Sequence, residues 1–174
     1  MREILIDGYN LIRQSDRLSE QEGRGGLEAG RMALIRALSA YRAATGDRVL
    51  VVFDGDEGIG FVPGASRQEG IGVAFSRPPE SADDVIEAHL RKRRGKKAVL
   101  VVSSDRRILG AARREGVAAM KSEEFSAEMA RRVVEGPRQG RAGAKLKPEA
   151  DAAEVAYWEK AFRTRKGMFE EGAE

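Results

Sequence analysis

An α/β fold, with a mostly parallel central sheet and helices on both of its faces, is what this sequence predicts. Short apolar runs alternate along the chain with amphipathic stretches, and no internal repeat interrupts the alternation. The runs are apolar at successive positions, so both faces of each strand expect a cover. The stretches between them have helical spacing, and helical crossovers are how parallel strands are joined.

Residues 3–6 read as the first strand. The stretch 26–45 reads as a helix, because Leu27, Leu34, Ile35, Leu38 and Tyr41 fall on one stripe. Residues 48–53 form a valine-rich strand of the buried kind. A glycine-rich loop carrying Gly55, Gly58, Gly60, Gly64 and Gly70 comes next. Residues 71–75 are a short strand, 82–94 a helix and 97–102 a second valine-rich strand. A helix over 106–115, a short strand over 117–120 and a helix over 122–135 complete the pattern.

Residues 1–135 therefore constitute one α/β domain. From 136 to 174 the composition changes to an appendage. Its first part, rich in glycine, arginine and lysine, is read as a flexible linker. Pro148 then opens a final helix with Tyr157, Trp158, Ala161 and Phe162 at helical spacing. That stripe suits docking onto the main domain, with base stacking as the alternative.

Composition narrows the chemistry. The chain has 174 residues, 41% hydrophobic and 34% charged, which is enough apolar material for a core. No apolar run nears the roughly 20 residues that cross a bilayer. The N-terminal apolar run is too short for a signal peptide. Cysteine is absent and His89 is the only histidine. Thiolate and multi-imidazole metal sites are thereby excluded, and a reducing, cytoplasmic setting without a membrane partner is expected. Any bound metal should be a hard cation held by oxygen. Net charge is only +3, but the bases cluster. One group is Arg91, Lys92, Arg93, Arg94, Lys96 and Lys97. The other, Arg138, Arg141, Lys145 and Lys147, lies in the linker with no acid nearby. Such patches suit phosphate backbones or plain solvation.

In open parallel sheets, ligands bind beyond the carboxyl ends of the strands. Asp7, Asp54 and Asp105 each follow an apolar run, and Asp83 and Asp84 open the helix that starts at Ala82. All should gather on one edge. Crowded carboxylates resist ionisation unless a cation joins them, and here that cation should be Mg²⁺ or Mn²⁺. Each acid also has a plainer reading. Asp7-Gly8 suits a turn. Ser81 and Asp84 have capping-box spacing, and Asp105 can cap the next helix. His89 shares a helix face with Val85 and Ile86 and reads as packing.

Four motifs, Ile6-Asp7-Gly8-Tyr9-Asn10-Leu11, Val52-Phe53-Asp54-Gly55, Ser81-Ala82-Asp83-Asp84 and Val102-Ser103-Ser104-Asp105, occur in that order. Together they resemble the NYN family of PIN-like nucleases, in particular its bacterial YacP-like branch, over roughly the first 125 residues. The tail, with Trp158-Glu159-Lys160, is similar as well. The resemblance implies a three-layer PIN-like fold and a metal-dependent endoribonuclease that acts on RNA, mRNA included, and is ribosome-associated in some members. It assigns Asp7, Asp83 and Asp105 to the metal, Asp84 as a neighbouring acid and Asn10 as a site-orienting amide. Asp54 is expected to position the loop or the substrate, and Arg138, Arg141, Lys145 and Lys147 to hold RNA phosphates.

Two other readings compete. The run from Val51 to Asp56 looks like the D-x-D start of haloacid-dehalogenase-like phosphohydrolases, with Asp54 as nucleophile. It ends the second strand instead of the first, and Glu57-Gly58 follows it. A non-catalytic RNA- or ribosome-binding adaptor on the same fold is the second alternative.

Overall fold

The computed structural model describes residues 1–55 and 66–135. The linker bases Arg138, Arg141, Lys145 and Lys147 and the aromatic stripe of the last helix lie outside the described residues. So do Asp56, Gly58, Gly60 and Gly64.

The chain begins with β1 (Glu3–Asp7), α1 (Gly8–Arg13) and α2 (Asp16–Thr45). It continues through β2 (Arg48–Phe53), β3 (Ser66–Gln68), β4 (Ile71–Phe75) and α3 (Ala82–Lys92). β5 (Val99–Val102), α4 (Arg106–Glu115), β6 (Ala118–Met120) and α5 (Ser122–Glu135) follow. The six strands form one sheet in the order β3-β4-β2-β1-β5-β6. All neighbours are parallel except β3, which runs antiparallel to β4 at the edge.

Side chains alternate across the sheet, and two cores result. Ile4, Ile6, Val49, Val51, Phe53, Leu100 and Val102 pack on one side with α1, α2 and α5. Leu5, Leu50, Val52, Val99 and Val101 pack on the other with α3 and α4. Each strand is thus buried on both faces, as its unbroken apolar run requires.

Three features differ from the sequence reading. α1, only six residues long, starts directly after Asp7, where the sequence reading assigned no helix. α2 begins at Asp16, ten residues ahead of the expected start, and bends at Gly26 (φ 77°, ψ −176°). That conformation is open to glycine and strained for other residues, so one sequence spans two helical segments there. β3 has three residues with exposed or half-buried side chains, too short and too polar for an apolar pattern to reveal.

The topology selects one place on the carboxyl edge. From β1 the chain moves outward through β2 to β4, then returns to lay β5 on the other flank of β1. The order therefore reverses between β1 and β5, and the crevice beyond their carboxyl ends is where such sheets receive ligands.

Candidate acidic site at the carboxyl edge

Asp7 closes β1 at this reversal point. Its Oδ1 accepts the Asn10 amide at 3.3 Å and so caps α1. Its Oδ2 accepts the Ser103 hydroxyl, just past β5, at 3.0 Å. Gly8 follows for lack of room: a Cβ there would stand 2.3 Å from Cε1 of the buried Phe53 ring. Asp7 itself is 8% exposed. Burial pushes its carboxyl up to about 6; the bonds from Asn10 and Ser103 oppose the rise, and the charges of Asp83 and Asp54 add to it.

Asn10 fastens the far side of the crevice. Its Oδ1 accepts the Ser104 amide at 2.8 Å and the Ser122 hydroxyl at 2.7 Å, joining α1 to the segment after β5 and to the start of α5. Asp105 lies on that segment. Its own amide donates to Ser103 Oγ at 3.0 Å, and its Oδ1 accepts the Arg107 amide at 2.6 Å as the N-cap of α4. The capping role read from sequence is present, and Oδ2 of Asp105 takes no protein hydrogen bond among the described residues.

α3 arrives at the same edge because Asp54 receives it. Asp54 Oδ1 accepts the Ala82 amide, the first of the helix, at 2.6 Å and the Ser76 hydroxyl at 3.2 Å. The next two residues then divide the work. Asp84 completes a capping box with Ser81, accepting the Ser81 amide and hydroxyl at 2.9 Å each. Those bonds, aided by Arg107, hold its carboxyl down at about 2. Asp83 has no hydrogen bond on its carboxylate among the described residues, and its carboxyl is raised by burial, by Asp105 and by its other acidic neighbours. Arg107 alone opposes that rise.

Arg107 is the residue the sequence reading missed. Its guanidinium binds Glu87 Oε1 at 2.7 Å and Asp84 Oδ1 at 2.6 Å, and it stands 3.9 Å from Asp83 Oδ2. A base in the first turn of a helix opposes the helix dipole, and this signal marks Arg107 as needing acidic partners. Ser76, Ser103 and Ser122, whose hydroxyls bond to Asp54, Asp7 and Asn10, were also overlooked.

Asp7, Asp54, Asp83, Asp84 and Asp105 thus share one edge; the charges of Asp83 and Asp54 act on Asp7, and those of Asp105, Asp54 and Asp84 act on Asp83. As they are placed, no group of three or more Asp, Glu or His among the described residues could hold a metal ion. The donor chemistry nevertheless suits Mg²⁺, which takes one or two carboxylates directly and keeps several waters. Asp7 and Asp83 are the two whose ionised forms are least compensated by the protein.

The opposite edge has other work. Arg93, 5% exposed, pairs with Glu3 at the start of β1 and lies 3.2 Å from His89 Nδ1. Burial, with the nearby cations Arg93 and Lys92, pushes His89 down to about 3, so it packs as a neutral ring. Arg91 and Arg94 face Glu87 and Glu115. Arg91, Arg93 and Arg94, at the end of α3 and just past it, are thus paired with Glu87, Glu3 and Glu115 and not with the aspartates at the carboxyl edge. No helix among the described residues is long and apolar enough to cross a membrane.

A mostly parallel three-layer α/β domain with acids gathered at its topological switch point is the class that fold and site define. The family model of the YacP-like NYN domain matches residues 4–163, and the chain belongs to that family. The YacP protein of Bacillus subtilis (strain 168) is 33% identical over 87 residues, a match that spans 48% of this chain and 48% of that protein, about half of each. A crystal structure of a mutant Rae1 (YacP) from Bacillus subtilis superimposes with a TM-score of 0.64 at 26% identity, covering 78% of this chain and 79% of that one. A second Rae1 (YacP) crystal structure from Bacillus subtilis gives 0.61 at 26% identity over 100% of both chains. The sheet and its flanking helices are similar to those structures. Family membership leaves the phosphohydrolase reading of Asp54 without support, and in the fold that residue anchors α3.

Proposed function

We propose that this chain is a metal-dependent endoribonuclease that hydrolyses RNA phosphodiester bonds, mRNA included, with Mg²⁺ or Mn²⁺ as cofactor and the ribosome as the partner that the family resemblance suggests. One observation carries the reading. At the switch point of the sheet, Asp7 and Asp83 have carboxyls raised first by burial and further by other acids of the same edge. Buried acids set side by side in this way suit a bound cation, which offsets both the burial and the repulsion.

Asp7 and Asp83 would hold the cation, with the free Oδ2 of Asp105 as a third oxygen reached directly or through water. When bound, a divalent cation supplies an activated water and a neutralised phosphate oxygen. The chain's own contribution is position. Ser103 and the Asn10 amide fix both oxygens of Asp7. Asn10 clamps the Ser104 segment that carries Asp105, and Asp54 receives the first amide of α3, next to Asp83. The test is incubation of mixed RNA with Mn²⁺ or with EDTA, for the wild type and for Asp7→Asn. Internal cleavage by the wild type with Mn²⁺ alone, lost in the variant, is expected. RNA binding without metal-dependent cleavage would replace this reading with the adaptor.

A further inference from the structure

Two arginines stand on the carboxyl edge without joining its ion pairs. Arg31 of α2 donates from Nη1 to the Tyr9 hydroxyl at 2.6 Å and lies over the Phe75 ring, 5.8 Å from its centroid. Arg13, at the end of α1, lies over the Tyr9 ring at 5.7 Å. Tyr9, Phe53 and Phe75 form a continuous aromatic row, with centroids 5.2 and 5.6 Å apart. Tyr9 is two residues beyond Asp7, while Phe53 and Phe75 are paired last residues of β2 and β4. The row therefore runs along the edge where the acids lie.

Nearby, Arg107 is consumed by Asp84 and Glu87, yet neither Arg13 nor Arg31 has a carboxylate partner among the described residues. Their charges are instead steadied by ring faces and one phenol, which occupy few of the five donors on each guanidinium. A guanidinium held in place with donors to spare suits a phosphate, which it can bind in bidentate fashion.

Position adds direction. Arg13 and Arg31 lie on the α1–α2 side of the sheet, whereas Asp83 and Asp105 open α3 and α4 on the other side. Asp7 sits at the edge between them. A strand with phosphates on Arg13 and Arg31 would pass over Asp7 and meet Asp83 beyond it. We propose that Arg13 and Arg31, steadied by Tyr9 and Phe75, form a phosphate-binding site for single-stranded RNA leading into the acidic crevice. This rests on the ribonuclease reading and supplies what its acids lack, a cationic approach for a polyanion.

The experiment measures binding of a single-stranded RNA against salt concentration, in an Asp7→Asn background that cannot cleave. Each lost phosphate contact lowers the salt slope by roughly 0.7 for a single strand. Arg13→Gln with Arg31→Gln should therefore lower it by about 1.4 and weaken affinity at low salt. Arg13→Lys with Arg31→Lys should keep the slope, because the charge remains. Arg91→Gln with Arg94→Gln, an equal charge loss on the opposite edge, should leave it unchanged. Thermal melts of all variants separate contact loss from unfolding. An unchanged slope in the glutamine pair, or an equal loss in the lysine pair at unchanged melting temperature, overturns the proposal. Metal-dependent cleavage by the wild type, assayed in parallel, keeps the two readings apart. Cleavage with the slope unmoved sinks only the phosphate site. A moved slope without cleavage sinks only the nuclease.

Discussion

Asp7 carries opposed demands within a single side chain. It caps α1, binds Ser103, and still presents a carboxylate to a crevice shared with Asp83. Because its folded carboxyl lies at about 6 against an ordinary 3.8, the fold prefers the protonated form. The native state then binds more protons than the unfolded chain between about pH 4 and 6, so this group's contribution to stability falls as pH rises through that window. Above it, the ionised group costs on the order of 2–3 kcal/mol. In EDTA, Asp7→Asn should melt no lower than the wild type at pH 7, and its stability should vary less between pH 4 and 7, as urea titrations at several pH values would show. Added Mn²⁺ should raise the wild-type melting temperature and leave that of the variant unmoved. Asp83 and Asp84 are expected to separate along the same line. Asp84→Ala removes half of a capping box and should cost about 0.3–1.5 kcal/mol in stability. Asp83→Asn should cost none and should abolish the heat of Mn²⁺ binding in calorimetry. A loss of Mn²⁺ binding confined to Asp84→Ala would reverse the assignment.

At the scale of elements, the site depends on how tightly short pieces abut. α1 can start directly after β1 only because Gly8 lets the backbone lie against Phe53. Gly8→Ala must displace either that ring, which is fully buried, or the helix that carries Asn10. The expected cost is about 1–3 kcal/mol of overpacking, read from a denaturant midpoint, together with loss of cleavage because Asp7 and Asn10 flank the substitution. α3 has the converse arrangement. Its first amide is received by Asp54 and its capping box is internal, so the helix begins firmly at the crevice. Motif spacing alone suggested that box. Short helix α1 was not legible, since six residues give too little periodicity to separate a helix from a turn.

Across the whole molecule, the two sheet edges differ in how their charges are paired. At the carboxyl edge Asp7 and Asp83 have no close ion pair, while Arg107 is taken by Asp84 and Glu87; the amino edge is cross-linked by ion pairs. There Arg2 bonds to Asp47, Tyr41 and Glu128, tying β1 to α2 and α5. Arg93 joins α3 to Glu3 with both side chains largely buried. Removing one partner of a buried pair strands the other, so Arg93→Gln should destabilise the fold by about 3–5 kcal/mol in a urea titration. Arg91→Gln and Arg94→Gln, whose side chains are exposed, should melt within a degree or two of the wild type. Equal losses at all three positions would contradict the division.

Much of this was present in the linear chain. Unbroken apolar runs such as Arg48–Phe53 and helical stripes such as that of α4 are local patterns, and they defined the layers and the order of the strands along the chain. The acids could be placed at strand ends because the direction of a parallel sheet puts every carboxyl end on one side. What tertiary structure alone decided was which strands became neighbours, and so that the strand order reverses between β1 and β5. It also decided which charged groups are used up. Arg107, Arg93 and Arg31 are chemically alike in the sequence. One is bound to the acids of the site, one is buried at the far edge, and one rests on Tyr9 with donors to spare. Partnership of that kind depends on distances between elements far apart in sequence, and only packing sets those distances.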